Sequence, residues 1–398
     1  MVLDGIRVLE FSQIIAAPAA GQILAELGAE VIKIEPPGGE SWRLMTQFAP
    51  GESKSFQTLN RGKKDVTLNL GAPEATSIVH RLVPSVDVVL INYRPDVPAK
   101  FRVDYDTLKS FKPDLVYVDL TAFGRHGPWA LRPGYDGVVQ AVTGLMAGEG
   151  KVRPDGAPMT IVSTAIADYA TGIVLADAVV TALYDREVSG EGQLVDCSLF
   201  ATALALQGDV VMEHPLADGA RNATRDARRA RAGEGGSFED MVRLREQSRT
   251  PDPFARAYLA KDGALAVEAS DAAARQRLMD ILPGTSPDGF AAAFEAQTAE
   301  HWLTRLRAGG IPCSPVYFPE ELAQLEQTRA NAMFTEYHHE VTGWQSLNAP
   351  VLAFSEAGPV PPRPSPRLGA HTDAVLAELG LRPGEIDDLA ARGVVGER

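Results

Sequence analysis

One aspartate, Asp168, stands in the stretch "STAIADYATG" directly before a segment that is apolar enough to be buried. No basic residue adjoins it in the sequence. Aspartate is a favoured residue at helix N-termini, because its side chain accepts hydrogen bonds from the first free backbone N–H groups. The same N–H groups can instead hold an ionised carboxylate and aim it at a ligand. The residues alone leave both roles open.

Several common catalytic motifs are missing from the sequence. It has no GxSxG nucleophile elbow, no Walker A loop and no HExxH motif. The first β-α turn is "SQIIAAPAAG" rather than GxGxxG, which disfavours a nicotinamide dehydrogenase. Only two of the seven histidines adjoin, His338 and His339, so no metal site is predicted. His126, in the glycine-flanked "FGRHGPW", is interpreted as a solvated turn residue.

Length and charge limit the class of protein. A chain of 398 residues predicts at least two domains. The net charge of −14 opposes non-specific binding of nucleic acid, so an anionic ligand needs a local basic pocket. The two cysteines, Cys197 and Cys313, are far apart and are predicted to be reduced thiols.

The amino terminus and the most apolar segment bear on location. Asp4, Arg7 and Glu10 lie within the first ten residues, so this segment is not interpreted as a signal peptide. Asp168 and Asp177 interrupt the apolar residues 161–184, which disfavours a membrane span. We therefore predict a cytoplasmic protein with neither membrane nor nucleic-acid partners.

Strand-like and helix-like segments alternate over residues 1–125. Strands are predicted at "IRVLEF", "EVIKIEPP", "VTLNL", "VDVVLINY" and "LVYVDLTAFG", with helical segments between them. This alternation is typical of a parallel sheet covered by helices on both faces. The predicted fold class is α/β, with a Rossmann-like parallel sheet in a large domain.

The rest of the chain predicts a smaller α+β domain and a returning tail. The arginine-rich "RNATRDARRARAGEGGS" is interpreted as a mobile, solvated connection, and "FARAYLAKDGALAVEAS" as a hairpin. A Pro-rich arm precedes a helix that starts near Thr372. The predicted limits are a large domain at 1–210, a linker at 211–224, a small domain at 225–325, and an arm with a C-terminal helix at 326–398 that packs on the large domain.

Several segments, in order, resemble the family III CoA-transferases of the CaiB/BaiF type. The segments are "LDGIRVLEFSQIIAAPAAGQILAELGAEVIKIEPPGGESWR", "SFQTLNRGKKDVTLNLGAPEA", "INYRPDVPAKFRVDYDTLKSFKPDLVYVDLTAFGRHGPWALRPGYD", "IADYATGIVLADAVVTALYDREVSGEGQLVDCSLF" and "PRLGAHTDAVLAELG". This family includes formyl-CoA and carnitine CoA-transferases and the alpha-methylacyl-CoA racemases. Residues 205–330 carry much less of the resemblance.

The resemblance implies that Asp168 is the catalytic nucleophile of an acyl-CoA:carboxylate CoA-transferase. The reaction would pass through an aspartyl anhydride and an aspartyl-CoA thioester. CoA thioesters would be substrates, with no permanently bound cofactor and no metal. The resemblance further implies a homodimer of two ring-shaped chains interlocked like links, and the large domain would bind CoA.

The resemblance also assigns contacts to CoA. The residues are Ile15, Ala16, Leu68, Asn92, Tyr93, Lys100 and Arg132. Lys100 and Arg132 would face the phosphates, and Tyr93 would lie against adenine. Many members carry glutamine at the position of Ile15, so an apolar residue here implies a different acyl pocket.

Two further segments bear on the reaction. Gly235 and Gly236 in "GEGG" loosely resemble a glycine-rich loop that closes over the nucleophile; a plain flexible linker is the alternative. The racemases carry a histidine base where Tyr135 stands, and a tyrosine is a poor base at neutral pH. Transfer is therefore preferred to racemisation or isomerisation.

Other possibilities stay open from the sequence. Intramolecular CoA transfer within one dicarboxylate would need the same residues, and a silent CoA-binding protein would form no covalent adduct. The arginines of "RDARRARAG" would favour short dicarboxylic acids if one faced the substrate, and surface solvation is the other interpretation.

Overall fold

The computed structural model describes residues 1–247, 252–358, 361 and 363–398. The chain forms two compact units, one made of Met1–Leu216 with Met333–Arg398 and the other of Ala217–Ala332. The limits predicted for the small domain, residues 225 and 325, lie inside the second unit. Each unit is described separately below.

Residues 1–216 contain the large sheet and its helices. The strands are β1 Arg7–Phe11, β2 Glu30–Glu35, β3 Gln47–Ala49, β4 Glu52–Ser53, β5 Lys64–Thr67, β6 Val88–Ile91, β7 Val116–Thr121 and β8 Leu194–Ser198. The α-helices are α1 Ala16–Glu26, α2 Ser41–Leu44, α3 Lys54–Asn60, α4 Pro73–Leu82, α5 Val97–Phe101, α6 Tyr105–Lys109, α7 Asp136–Thr143, α8 Leu145–Gly148, α9 Ile166–Ser189 and α10 Leu199–Ala205. Short 3₁₀ helices cover Val83–Ser85 and Gly208–Val210.

Six of these strands form one parallel sheet in the order β5-β2-β1-β6-β7-β8. Counted along the chain as sheet strands, this is the order 3-2-1-4-5-6 of doubly wound, Rossmann-like folds. The predicted α/β class with a parallel sheet is confirmed. The strand order reverses between β1 and β6, and ligands of such folds bind beyond the carboxyl ends of the strands at that point.

Helices cover both faces of the sheet. Alternate residues of each strand point to opposite faces, so Val8 and Val31 join one apolar cluster while Leu9 and Ile32 join the other. The first cluster is covered by α1 and α9. These two helices cross closely at Gly172, where a Cβ atom would lie 2.8 Å from the Cβ of Ala19 and 2.9 Å from the carbonyl oxygen of Ala16.

The second unit has a small antiparallel sheet with helices. Its elements are α11 Gly219–Gly233, α12 Phe238–Gln247, β9 Ala255–Ala260, β10 Gly263–Glu268, α13 Ala272–Ile281, α14 Phe290–Glu295, α15 Ala299–Ala308, β11 Cys313–Pro315 and α16 Glu326–Ala330, with 3₁₀ helices at Pro287–Gly289 and Pro319–Gln324. The sheet order is β11-β10-β9, and β9 and β10 form the hairpin predicted around "KDG".

The arginine-rich segment, interpreted from the sequence as a mobile, solvated connection, is helical. Helix α11 covers nearly all of it, and none of its residues is buried. Alanine and arginine both favour helices, and their combined preference outweighs the glycines that follow. The prediction that the segment is solvated agrees with its exposure.

The chain then returns to the first unit. It forms the hairpin β12 Phe334–His339 and β13 Gly343–Asn348, then α17 Thr372–Glu378 and α18 Pro383–Ala391. Helix α17 begins at the predicted residue, Thr372. The apolar residues of α17 and α18 belong to the cluster on the sheet face opposite α1. Part of the predicted Pro-rich arm, residues 359, 360 and 362, lies outside the described residues.

Candidate active site

Asp168 is the third residue of α9, and its side chain does not cap the helix. The N-cap residue is Ala165, which makes no side-chain cap. The Oδ1 atom of Asp136 instead accepts hydrogen bonds from the backbone N–H groups of Ala167, at 2.8 Å, and Asp168, at 3.4 Å. Asp136 therefore caps α9 from the first turn of α7, and the Asp168 carboxylate is left without that structural role.

The surroundings of the Asp168 carboxylate disfavour its negative charge. The residue is only 8% exposed, and among the described residues none donates a hydrogen bond or a positive charge to its side chain. Burial, with a smaller contribution from the nearby Asp136 carboxylate, raises the pKa of Asp168 to about 7. The raised pKa corrects the expectation that the N–H groups of the helix hold the Asp168 carboxylate ionised. Those N–H groups already donate their hydrogen bonds to Asp136.

Asp168 lines a cavity of about 220 Å³, here called the Asp168 cavity. Its walls come from residues 13–16 after β1, Asn92 and Arg94 after β6, residues 120–122 at the end of β7, residues 133–135 before α7, and Leu199. It therefore lies where the strand order reverses, at the carboxyl ends of the strands. This is the expected ligand position in a doubly wound sheet.

The Asp168 cavity brings together five of the residues singled out from the sequence. Ile15, Ala16, Asn92 and Tyr135 line it with Asp168. The Asn92 side chain donates to the Gln13 carbonyl at 2.8 Å and accepts from the Gln13 N–H at 3.1 Å, so it holds the loop after β1. Tyr135 is 61% exposed, and the lining residues include no histidine.

Four predicted CoA contacts lie outside the lining of this cavity. Leu68 is buried in the apolar core, and Tyr93 packs against Phe11 with 6.5 Å between ring centres. Burial raises the pKa of Tyr93 to about 12. Lys100 is exposed and paired with Asp96 at 2.6 Å, while the Arg132 guanidinium lies 5.2 Å from the ring centre of Trp129. Their contacts with CoA stay predictions.

Gly235 and Gly236 belong to the second unit, directly after α11. The N–H group of Gly236 donates to the Arg231 carbonyl at 2.9 Å, and Gly235 adopts a positive φ of 79°. The loop is thus a turn that joins α11 to α12. Its role as a loop over the nucleophile stays a prediction.

Sequence reasoning missed three features of this site. Asp136 ends the "RPGYD" segment, but nothing in the sequence joins it to α9. Arg94 lines the cavity one residue after Tyr93 and pairs with Asp96 at 3.1 Å. Ile14 adopts a φ of 73°, which is rare for a β-branched residue and has no signal in the sequence.

Within the described ranges, no group of three or more His, Cys, Asp or Glu side chains is placed to hold a metal ion. Helix α9 has 24 residues and is long and apolar enough to cross a membrane by length and composition. Core helices of globular proteins pass the same test, and α9 packs on α1.

Comparison with protein families identifies the chain. The model of CoA-transferase family III matches residues 3–372. The chain belongs to this family. It is therefore an enzyme, a CoA-transferase, and CoA thioesters are substrates of such enzymes. The resemblance found in the sequence segments is confirmed.

Similar proteins support this assignment over most of the chain. The succinate–glutarate CoA-transferase of Agrobacterium fabrum is 32% identical, with 95% of each chain covered. The acetyl-CoA:oxalate CoA-transferase of Acetobacter aceti is 31% identical over 83% of this chain and 84% of its own. A crystal structure of a mutant of Rv3272 from Mycobacterium tuberculosis matches with a TM-score of 0.77 and 29% identity, covering 94% of this chain and 98% of that one.

Proposed function

We propose that this CoA-transferase moves CoA from an acyl-CoA to a free carboxylic acid, with Asp168 as the covalent carrier. The observation that carries the proposal is the state of Asp168. It is a buried carboxylate with no partner of opposite charge among the described residues, and it lines a cavity at the reversal point of the sheet. A carboxylate that the protein neither pairs nor uses as a cap is available for chemistry.

The proposed reaction has four exchanges at carbonyl carbons. The Asp168 carboxylate attacks the thioester carbonyl of the donor, which forms a mixed anhydride and releases the CoA thiolate. The thiolate attacks the Asp168 carbonyl, which forms an aspartyl-CoA thioester and releases the donor acid. The acceptor carboxylate attacks this thioester, giving a second anhydride and the thiolate. Attack of the thiolate on the acceptor acyl carbon yields the new acyl-CoA and restores Asp168.

Burial serves this cycle in two ways. A carboxylate with a pKa near 7 is more basic, and hence more nucleophilic, than an ordinary aspartate. Once acylated, Asp168 is neutral, so the cost of keeping a buried negative charge disappears in the covalent intermediates.

Helix α1 begins beside the cavity without a side-chain cap, and its first N–H groups would donate to the tetrahedral oxygens.

We infer that the acids are short dicarboxylates. Two relatives are named for succinate and glutarate and for oxalate. In this chain Arg94 is the cation among the lining residues, and a guanidinium binds a second carboxylate through two parallel hydrogen bonds. Racemisation is not favoured, because the lining residues offer no histidine to remove a proton next to the thioester carbonyl.

Trapping of the covalent intermediate tests the proposal. Succinyl-CoA is added to the enzyme, the adduct is captured with hydroxylamine or borohydride, and mass spectrometry locates the modified residue. We expect modification of Asp168 and none in the Asp168→Asn variant. Asp177→Asn, an exposed aspartate on the same helix, is the matched control and should label as the wild type does. Full transferase activity in Asp168→Asn would refute the mechanism.

We also propose a cytoplasmic homodimer of interlocked chains. Ile173, Tyr184 and Val188 of α9 are 64–72% exposed, which leaves an apolar helix face for a second copy to cover. An apolar groove of about 380 Å³ lies beside it, between α1, α9 and residues 348–352. Sedimentation at nanomolar concentration should show a dimer, since interlocked chains do not separate on dilution; a monomer would contradict this.

A further inference from the structure

A set of charged side chains lies buried under the loop that joins β1 to α1, and the proposed reaction does not use them. Its carboxyl groups belong to Glu10, Glu35, Glu40, Glu52 and Asp65. Its cations are Lys33, Arg43 and Lys63. All eight residues are at most 3% exposed. We call this set the charge network.

The charge network is closely paired. Lys63 lies 2.9 Å from Glu10, Arg43 lies 2.9 Å from Glu35, and Lys33 lies 3.3 Å from Glu40. Burial, followed by the neighbouring Glu35, raises the pKa of Asp65, and burial raises the pKa of Glu40. The carboxyl groups of Asp65 and Glu40 therefore ionise less readily than ordinary aspartate and glutamate side chains.

The network reaches the Asp168 cavity through the loop of residues 12–15. The Lys33 ammonium donates to the Ser12 carbonyl at 2.8 Å, and Asn92 holds Gln13 from the other side. The next N–H group, that of Ile14, donates to Oε2 of Glu40 at 2.8 Å. Three successive loop residues are thus each held by a side chain from outside the loop.

The hydrogen bond to Glu40 coincides with strain in the backbone. Ile14 has a φ of 73°, in the left-handed region that β-branched residues avoid. Such a conformation persists only where the surroundings enforce it. Ile14, Ile15 and Ala16 all line the Asp168 cavity, so the conformation of Ile14 sets the shape of one cavity wall.

We propose that Glu40 is a positioning residue, whose carboxyl group holds the Ile14 N–H and thereby fixes the cavity wall that carries Ile15 and the start of α1. This inference rests on the proposed function for its kinetic consequence, but not for its structural one. The wall would move when the hydrogen bond is lost, and the reacting carbonyl would no longer meet Asp168 and its N–H donors in line.

Two variants of nearly equal size separate the hydrogen bond from the charge. Glu40→Leu removes both, whereas Glu40→Gln removes the charge and keeps an oxygen that accepts from Ile14. In crystal structures we expect Ile14 to leave the left-handed region in Glu40→Leu and to keep it in Glu40→Gln. An unchanged positive φ in Glu40→Leu would overturn the proposal, whatever the activity.

A measurement on the wild-type chain covers the case in which Glu40→Leu does not fold. The Ile14 amide should exchange with solvent deuterium at least about 10²-fold more slowly than an unprotected amide, because it is hydrogen-bonded to a buried carboxyl group. An unprotected Ile14 amide would overturn the proposal by itself.

The kinetic arm measures single-turnover formation of the enzyme adduct from succinyl-CoA. We expect Glu40→Leu to lower the rate about 10²-fold with little change in the half-saturating succinyl-CoA concentration, and Glu40→Gln to recover most of it. Glu52→Gln is the matched control, because Glu52 is equally buried in the network but has no bond to the loop. A merely structural role predicts equal losses in all three variants and would overturn the proposal.

The two proposals can fail separately. Absence of a wild-type adduct on Asp168 would refute the proposed function, and the crystal structures and amide exchange would still decide the role of Glu40. A wild-type adduct combined with equal rates in Glu40→Leu and wild type would refute the positioning role alone.

Discussion

The first unit contains two kinds of buried carboxyl group, and they differ in their partners. In the charge network, carboxyl groups lie 2.9–3.6 Å from lysine or arginine side chains that are themselves buried. Among the residues that the structure describes, Asp168 has no such cation, and the charge that raises its pKa is the carboxylate of Asp136. Both kinds of carboxyl group are buried, so burial alone does not distinguish a reactive group from a structural one.

The difference shows how one unit can use buried charge for two purposes. In the network, each charge offsets part of the desolvation cost of another, and removal of one member leaves its partner uncompensated. At Asp168 no cation among the described residues offsets the desolvation cost, so the ionised carboxylate stays destabilised until it reacts. The comparison predicts opposite stability effects for substitutions in the two places.

The largest effect is expected from Lys33→Met in the charge network. The substitution removes the ammonium group that pairs with Glu40 and Glu10, two carboxyl groups that are only 0–3% exposed. The free energy of unfolding should therefore fall by about 3–5 kcal/mol. Denaturant unfolding measures the loss. Lys64→Met is the control, because Lys64 forms a partly exposed pair with Glu30 and should cost about 0–1 kcal/mol. Equal losses would remove the distinction between the network and a surface pair.

Asp168→Asn should instead stabilise the protein, but only at high pH. The folded state keeps a proton on Asp168 up to about pH 7, whereas the unfolded chain releases it near the ordinary value of 3.8. Wild-type stability therefore falls as the pH rises between these values, and the variant avoids this loss. At pH 8 we expect a gain of about 2–4 kcal/mol, and at pH 4 almost none. A gain that is independent of pH would mean that the carboxylate is not destabilised by burial.

The rate of adduct formation should follow the ionisation of Asp168. Only the ionised carboxylate attacks the thioester, so the single-turnover rate should fall about tenfold for each pH unit below 7 and level off above it. Rapid quench with succinyl-CoA between pH 5 and pH 8.5 measures the profile. A rate that stays constant down to pH 5 would show an ordinary, solvated carboxylate.

The smallest effect concerns Asp136. Asp136→Asn keeps an oxygen that can accept from Ala167 but removes the negative charge that contributes to the raised pKa of Asp168. The midpoint of the pH profile should move to lower pH by up to about one unit. Asp136→Glu keeps the charge and should leave the midpoint near that of the wild type. Equal midpoints in the Asn and Glu variants would assign the raised pKa to burial alone.

The parts of the fold that were predictable depend on local patterns. The strands of the parallel sheet are short apolar runs, and α17 begins at Thr372 as predicted. Helix α11 was missed because glycines and arginines suggested a loop, although alanine and arginine favour a helix. Local composition there supported two interpretations, and only the folded chain distinguishes them.

The types of residue at the site could be predicted from the sequence, but the contacts between those residues could not. Asp168 stood out because a carboxylate precedes an apolar helix, but its cap comes from Asp136, 32 residues earlier. Some members of the charge network are single polar residues within apolar strands, such as Lys33 in "EVIKIEPP". Their pairing depends on strand order, and the strain at Ile14 depends on the hydrogen bond that its N–H group donates to Glu40. None of these follows from spacing in the sequence.

Gly172 has a consequence for the nucleophile itself. It follows Asp168 by one turn of α9, on the same side of the helix, and it touches α1 at the turn that borders the cavity. Because Gly172 has no side chain, α9 and α1 pack in close contact at this crossing. The close contact keeps the Asp168 carboxylate near the N–H groups of α1 that would donate to the oxyanion. Even an alanine there would part the two helices, and the reacting groups would be separated with them.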